Sequence, residues 1–145
     1  GIFAAGDCCR GPDLGGGFMV HAIQPTATDH GKMAARAMAG RDTPYRGSLQ
    51  MNVLDTLGLV SASFGQWGGV DGGESASSLN EDAWRYIRLE FDGDRLVGAQ
   101  TVGRTEHVGV IRGLIEGAVP LGPWKERLKA EPWRVMEAWL ARTQG

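Results

Sequence analysis

The sequence predicts an α+β protein in two parts: a strand and helix that end an α/β domain, then an antiparallel sheet with helices packed on it. Three observations carry this. Ile2–Ala5 is an apolar run closed by Gly6 and Asp7, the pattern of a strand buried on both faces in a parallel sheet. Two strand-like runs, Ala83–Phe91 and Arg95–Val102, flank Asp92-Gly93-Asp94, residues that tolerate the positive φ of a hairpin turn. Helix-period segments follow from His107 to the end.

A strand that opens the chain has no sheet upstream to join. The sequence therefore reads as the tail of a larger protein, cut inside a ligand-binding domain. In this chain alone the opening strand is expected to be disordered or borrowed by a neighbouring chain, because bare strand edges invite pairing. The first strand leads through a loop, Cys8–Val20, containing Gly15-Gly16-Gly17. A helix follows. Pro25 suits its first turn and Gly40 the position past its end. Ala27, Gly31, Ala34 or Ala35, and Met38 share one face, which predicts close approach to a sheet or another backbone. The linker Arg41-Asp42-Thr43-Pro44 places the domain boundary between residues 44 and 45.

In the second part, Leu49–Leu54 and Leu57–Gln66 read as strands, and Gly68–Gly73 as a loop. Glu74 and Ser75–Ser78 read as polar loop leading into the hairpin. Val108, Ile111 and Ile115 share a helix face between His107 and Ala118. Pro123 and Pro132 each open a further helix, the last with Trp133, Met136 and Leu140 in phase.

Composition sets limits. The chain's 145 residues suffice to bury roughly two-thirds of the unfolded surface. Net charge is −2 with both signs interspersed, so there is no basic stripe for nucleic acid and no polybasic face for lipid. No apolar run reaches membrane-spanning length, and no signal-peptide pattern is visible. Cys8 and Cys9 are the only cysteines, which points to a reducing, cytoplasmic setting.

Several residues bear on chemistry. Asp7 ends a strand where open α/β sheets bind ligands. It can accept hydrogen bonds from polyol hydroxyls, or merely cap the turn behind it. The helix start between His21 and Thr28 offers backbone N–H groups and a positive dipole end to a partial negative charge, or is an ordinary helix start. Cys8 and Cys9 read as free thiols near a ligand site. With His21 they make no recognised zinc spacing, and no metal is expected. His30 and His107 show no partner in the sequence and read as surface or cap residues. Trp84, Trp124, Trp133 and Trp139 read as core or interface anchors, whereas Trp67, in the glycine loop, reads as facing a ligand or partner.

The opening Gly1-Ile2-Phe3-Ala4-Ala5-Gly6-Asp7 resembles the second flavin-binding motif of the FAD-dependent pyridine nucleotide–disulfide oxidoreductases. The helix with His30-Gly31-Lys32, Ala34-Ala35 and Met38-Ala39-Gly40 resembles the one that closes their FAD domain. Tyr86–Gly103 and Leu114-Ile115-Glu116-Gly117 resemble their C-terminal domain, nearest the rubredoxin reductase, NADH oxidase and nitrite reductase flavoprotein branch. The resemblance implies that residues 1–44 end an FAD-binding domain and that 45–145 form an interface domain. It implies FAD as cofactor, with Gly6 and Asp7 at the ribityl chain and Ile23, Gln24, Pro25 and Thr26 near the flavin's pyrimidine edge. Catalytic residues are not assigned. Implied partners are upstream FAD and NAD domains, a second copy of the chain, and an electron-acceptor protein. Neither dinucleotide phosphate loop lies in this chain, so it is not expected to oxidise NAD(P)H by itself. The alternative is a stand-alone dimerisation or docking domain that binds no flavin.

Overall fold

The computed structural model of the chain describes residues 1–41 and 44–144. Asp42 and Thr43 of the expected linker lie outside the described residues. The chain forms two compact units, Gly1–Met51 and Asn52–Gly145.

In the first unit, Ile2–Ala5 forms no strand. Ala5 is extended, at φ −148° and ψ 149°, but Ile2 is 102% exposed and Phe3 is exposed as well. Within this chain alone the opening segment is extended and forms no strand. An extended segment becomes a strand only when a neighbouring strand takes its N–H and C=O groups in a ladder, and among the described residues no strand pairs with it. The segment enters a 3-10 turn, Gly6–Cys8, then a short antiparallel hairpin of β1 (Gly11–Pro12) and β2 (Phe18–Met19). Helix α1 spans Gln24–Met38, with Pro25 in its first turn and Thr26 and His30 buried. Residues 44–50 return beside the hairpin. Ser48 N donates to Pro12 O at 2.9 Å and Leu14 N to Ser48 O at 2.9 Å.

The expected small-residue face of α1 is used only in part. Ala27 packs against the 3-10 turn, since a Cβ added at Gly6 would sit 3.4 Å from its own Cβ. Gly31 faces open space and Met38 is exposed.

The second unit is built on five strands: β3 (Met51–Thr56), β4 (Leu59–Gly65), β5 (Glu74–Asn80), β6 (Arg85–Asp92) and β7 (Arg95–Val102). Their order is β3-β4-β7-β6-β5. β6 and β7 form the expected hairpin, pairing Asp92 with Arg95 across Gly93. The registers align Ala62, Thr101 and Ile87 on one row and Phe64, Ala99 and Leu89 on the next. All six are buried, so this face is the core. Helix α2 (Val108–Glu116) covers β4 and β7 with Ile111 and Leu114. Helices α3 (Trp124–Ala130) and α4 (Val135–Thr143) follow. α3 lies against β5 and α4, and α4 against α2.

Three expectations are corrected here. Glu74–Ser78 belongs to β5, which pairs residue for residue with β6 from Glu74↔Phe91 to Asn80↔Arg85. This strand is polar and mostly exposed; pairing with a strong neighbour makes it a strand, not its own apolar pattern. On α4, Val135 and Ala138 are buried, while Trp133 just before it and Leu140 are exposed. Trp84 is 72% exposed and forms no part of the core. Trp124 instead carries Arg127 over its ring at 4.8 Å.

A lysine pair fastens β5 to α3. Glu74 Oε2 accepts from Lys129 Nζ at 2.6 Å, and Oε1 accepts from Lys125. These hydrogen bonds lower the Glu74 carboxyl from 4.5 to about 2.

Candidate functional site

The first unit brings the turn carrying Gly6 and Asp7 to the first turn of α1. Gly6 is buried with φ +79°, a conformation that L side chains rarely adopt. It lets the chain fold tightly onto Ala27 and leaves Asp7 exposed on the outside of the turn. Ile23, the residue before α1, is extended and supplies no side-chain cap. Ala27 N is satisfied by Ile23 O at 3.0 Å, and Pro25 has no N–H. The donors that this helix start can present to a ligand are therefore Gln24 and Thr26. Gln24 is exposed, Ile23 and Pro25 are half-buried, and Thr26 is buried.

Two histidines here have partners that the sequence concealed. His21 is buried, and its Nε2 lies 2.7 Å from Asp13 Oδ2. Its Nδ1 is buried without a hydrogen-bond partner. His21 thus faces a carboxylate and not the cysteines. No cluster of three or more metal-ligating side chains occurs among the described residues. His30, read as a surface or cap residue, is only 7% exposed. Its Nδ1 lies 3.3 Å from Cys9 Sγ and its Nε2 3.1 Å from Ser48 Oγ. Tyr45 OH joins the same Ser48 oxygen. These groups are 21 and 18 residues from His30 in sequence, so no local spacing could reveal them. Both cysteines are free.

In the second unit, Trp67 is half-buried, and its carbonyl accepts from Gln100 Nε2 at 3.3 Å. The glycine loop bounds a polar cavity of ≈ 280 Å³ with Glu74, Arg88 and Glu90. Glu90 is 3% exposed and bonded to Arg88, whose guanidinium it holds above its usual range. No described helix is long and apolar enough to cross a membrane.

Solved structures share this architecture. The chain matches a chain of the covalent putidaredoxin reductase–putidaredoxin complex with a TM-score of 0.77, over 98% of its own length and 33% of that chain, at 20% identity. It matches an FAD-dependent pyridine nucleotide-disulphide oxidoreductase from Desulfovibrio vulgaris with a TM-score of 0.68, over 99% of its length and 38% of that chain, at 14% identity. The chain has the fold of a reductase C-terminal region.

A NAD-dependent persulfide reductase from A. fulgidus also shares this reductase fold, with a TM-score of 0.69 over 84% of this chain and 26% of that one, at 17% identity. Among curated proteins, the NADH-dependent phenylglyoxylate dehydrogenase subunit epsilon of Aromatoleum evansii is 30% identical over 128 residues. That alignment spans 86% of this chain and 30% of the relative. No family model matches.

Proposed function

We propose that this chain is the C-terminal part of an NAD(P)H-dependent FAD oxidoreductase and supplies one edge of the FAD site. The observation that carries the reading is the buried, positive-φ Gly6 seated on Ala27, which sets an exposed carboxylate beside an uncapped helix start. The residues suit the cofactor: one charged acceptor for hydroxyls, and free helix N–H groups with a positive dipole end for an electron-rich ring edge. Gly6 keeps the turn tight. Asp7 accepts hydrogen bonds from the ribityl hydroxyls. Gln24 and Thr26 donate from the backbone toward the pyrimidine edge, and Ile23 and Pro25 shape the approach. Bound FAD supplies the capacity to take a hydride from a reduced nicotinamide and pass its electrons on.

Residues 1–44 end the FAD domain in this reading, and residues 45–145 form the interface domain. That domain pairs with a second copy or meets an electron-acceptor protein. Support comes from a relative named as a subunit and a structural neighbour solved in covalent complex with putidaredoxin. The free thiols suit the cytoplasm.

The test is Asp7→Ala in the full-length protein. Loss of a charged acceptor is worth about 1.5–3 kcal/mol, so FAD affinity should fall roughly 10- to 100-fold, read as the flavin-to-protein absorbance ratio after dialysis. Residues 45–145 should keep their fold. An unchanged ratio refutes the role of Asp7. A wild-type protein that takes up no FAD leaves the docking-domain alternative standing.

A further inference from the structure

We propose that Cys9 is a base-assisted nucleophilic thiol, with His30 as its proton acceptor, serving a cavity that takes a small, largely apolar soft electrophile. The inference does not depend on flavin binding. It rests on a contrast between two adjacent cysteines. Cys8 is exposed, and its thiol donates to Ala5 O at 3.3 Å. Cys9 is half-buried, and its sulfur lies 3.3 Å from His30 Nδ1. Among the described residues, only Cys9 of the two has a base within reach.

The base is itself held. His30 Nε2 meets Ser48 Oγ at 3.1 Å, and Tyr45 OH meets the same oxygen. The Tyr45 ring stands edge-on to the imidazole, with centroids 5.5 Å apart and an interplanar angle of 82°. On another side the backbone passes so closely that a Cβ at Gly11 would sit 3.3 Å from Cε1 and Nε2. With Nε2–H donating to Ser48, Nδ1 is left to accept the Cys9 proton. Nucleophile, base and orienting hydroxyl form the arrangement by which proteins activate thiols.

Cys9 and His30 both line a cavity of ≈ 280 Å³. Its other walls include Phe3, Pro12, Met33 and Ala37, so it favours an apolar guest. The chemistry that fits is addition to an activated alkene. The Cys9 sulfur bonds to the β-carbon as the carbon–carbon π bond breaks. The thiol proton passes to His30 Nδ1 and is returned to the α-carbon. No oxidant or reductant is consumed.

The test is a time course of substoichiometric N-ethylmaleimide with the full-length protein, with adducts at Cys8 and Cys9 resolved by peptide fragmentation. Cys9 should react at least about tenfold faster than Cys8 although it is less exposed, a modest share of what a positioned base supplies. His30→Gln should bring the Cys9 rate down to that of Cys8, and Cys8→Ser should leave it unchanged. Faster labelling of Cys8, or equal labelling, in the wild-type protein overturns the proposal without any variant. So does a folded His30→Gln protein whose Cys9 reacts at the wild-type rate. Should His30→Gln fail to fold, the wild-type Cys9-to-Cys8 ratio and Cys8→Ser decide.

Discussion

Gly98→Ala tests how the glycine loop is held over the sheet. Gly98 lies in β7, paired with Glu90 of β6 on one side and Gly65 of β4 on the other. The chain leaving β4 crosses directly over it. A Cβ at Gly98 would fall on the Gln66 carbonyl and 2.7 Å from Trp67 N. Real Cβ atoms essentially never come within 3.0 Å of a neighbour, and these neighbours are backbone, which cannot swing aside. The crossing must lift. That strains the Gln66 N to Val97 O bond of 2.9 Å and the Gln100 Nε2 to Trp67 O bond of 3.3 Å.

Overpacking costs about 1–3 kcal/mol, and each lost hydrogen bond about 1 kcal/mol. Removing a glycine from the unfolded chain returns about 0.4–1 kcal/mol. The net destabilisation is about 2–4 kcal/mol, or roughly 10–25 °C in Tm for a unit of this size. Tryptophan fluorescence is the assay, because Trp67, Trp84, Trp124, Trp133 and Trp139 all lie in the second unit. Gly68→Ala is the control. No atom lies within 4 Å of its added Cβ, so it should stay within about 0.5 kcal/mol of wild type. A Gly98→Ala chain within 1 kcal/mol of wild type, by the same small-effect scale, refutes the crossing as described.

Two further outcomes follow from side chains in the same unit. Glu74 has its folded pKa depressed to about 2 from 4.5, so its contribution is full above the higher value and lost as pH falls toward the lower one. The Tm difference between wild type and Glu74→Gln should therefore shrink between pH 5 and pH 2; a difference independent of pH contradicts the lysine clamp. Thr101 Oγ1 is buried without a hydrogen-bond partner in a residue only 2% exposed. Thr101→Val removes that desolvated hydroxyl and should be neutral or stabilising by up to about 1 kcal/mol in urea unfolding; a loss above that size means that the hydroxyl is bonded.

What the sequence revealed divides by range. The β6–β7 hairpin was legible because Asp92-Gly93-Asp94 sits between two runs rich in strand-favouring residues, and every determinant is local. α1 was legible from Pro25 and Gly40 for the same reason. β5 was not, because Glu74–Asn80 carries almost no apolar signal and is a strand only through its ladder with β6. The stripe of Trp133, Met136 and Leu140 misled because large apolar residues lie on a rim as well as in a core; Val135 and Ala138 are the residues that α4 buries. Among site residues, the closeness of Gly6–Asp7 to the helix start followed from chain order. The Cys9–His30–Ser48 contacts did not, since His30 lies 21 and 18 residues from its two partners.

The two units face different physical demands. The second closes a core on itself, with Phe64, Leu89, Phe91, Leu96 and Leu114 all nearly inaccessible. The first leaves Ile2, Phe3, Phe18, Val20 and Met38 exposed, more large apolar groups than so small a unit leaves in water without reason. Its buried side chains are instead disproportionately polar: His21, Thr26, His30 and Ser48. Buried polar groups are tolerated where each finds a partner, and three of these have one in hydrogen bonds that cross the unit. Oriented imidazoles and hydroxyls, with Leu49 beside them, fill the interior of the first unit. The proposed flavin edge and the proposed reactive thiol both fall in the first 51 residues, while changes to glycine and charge in the second unit are predicted to register as stability.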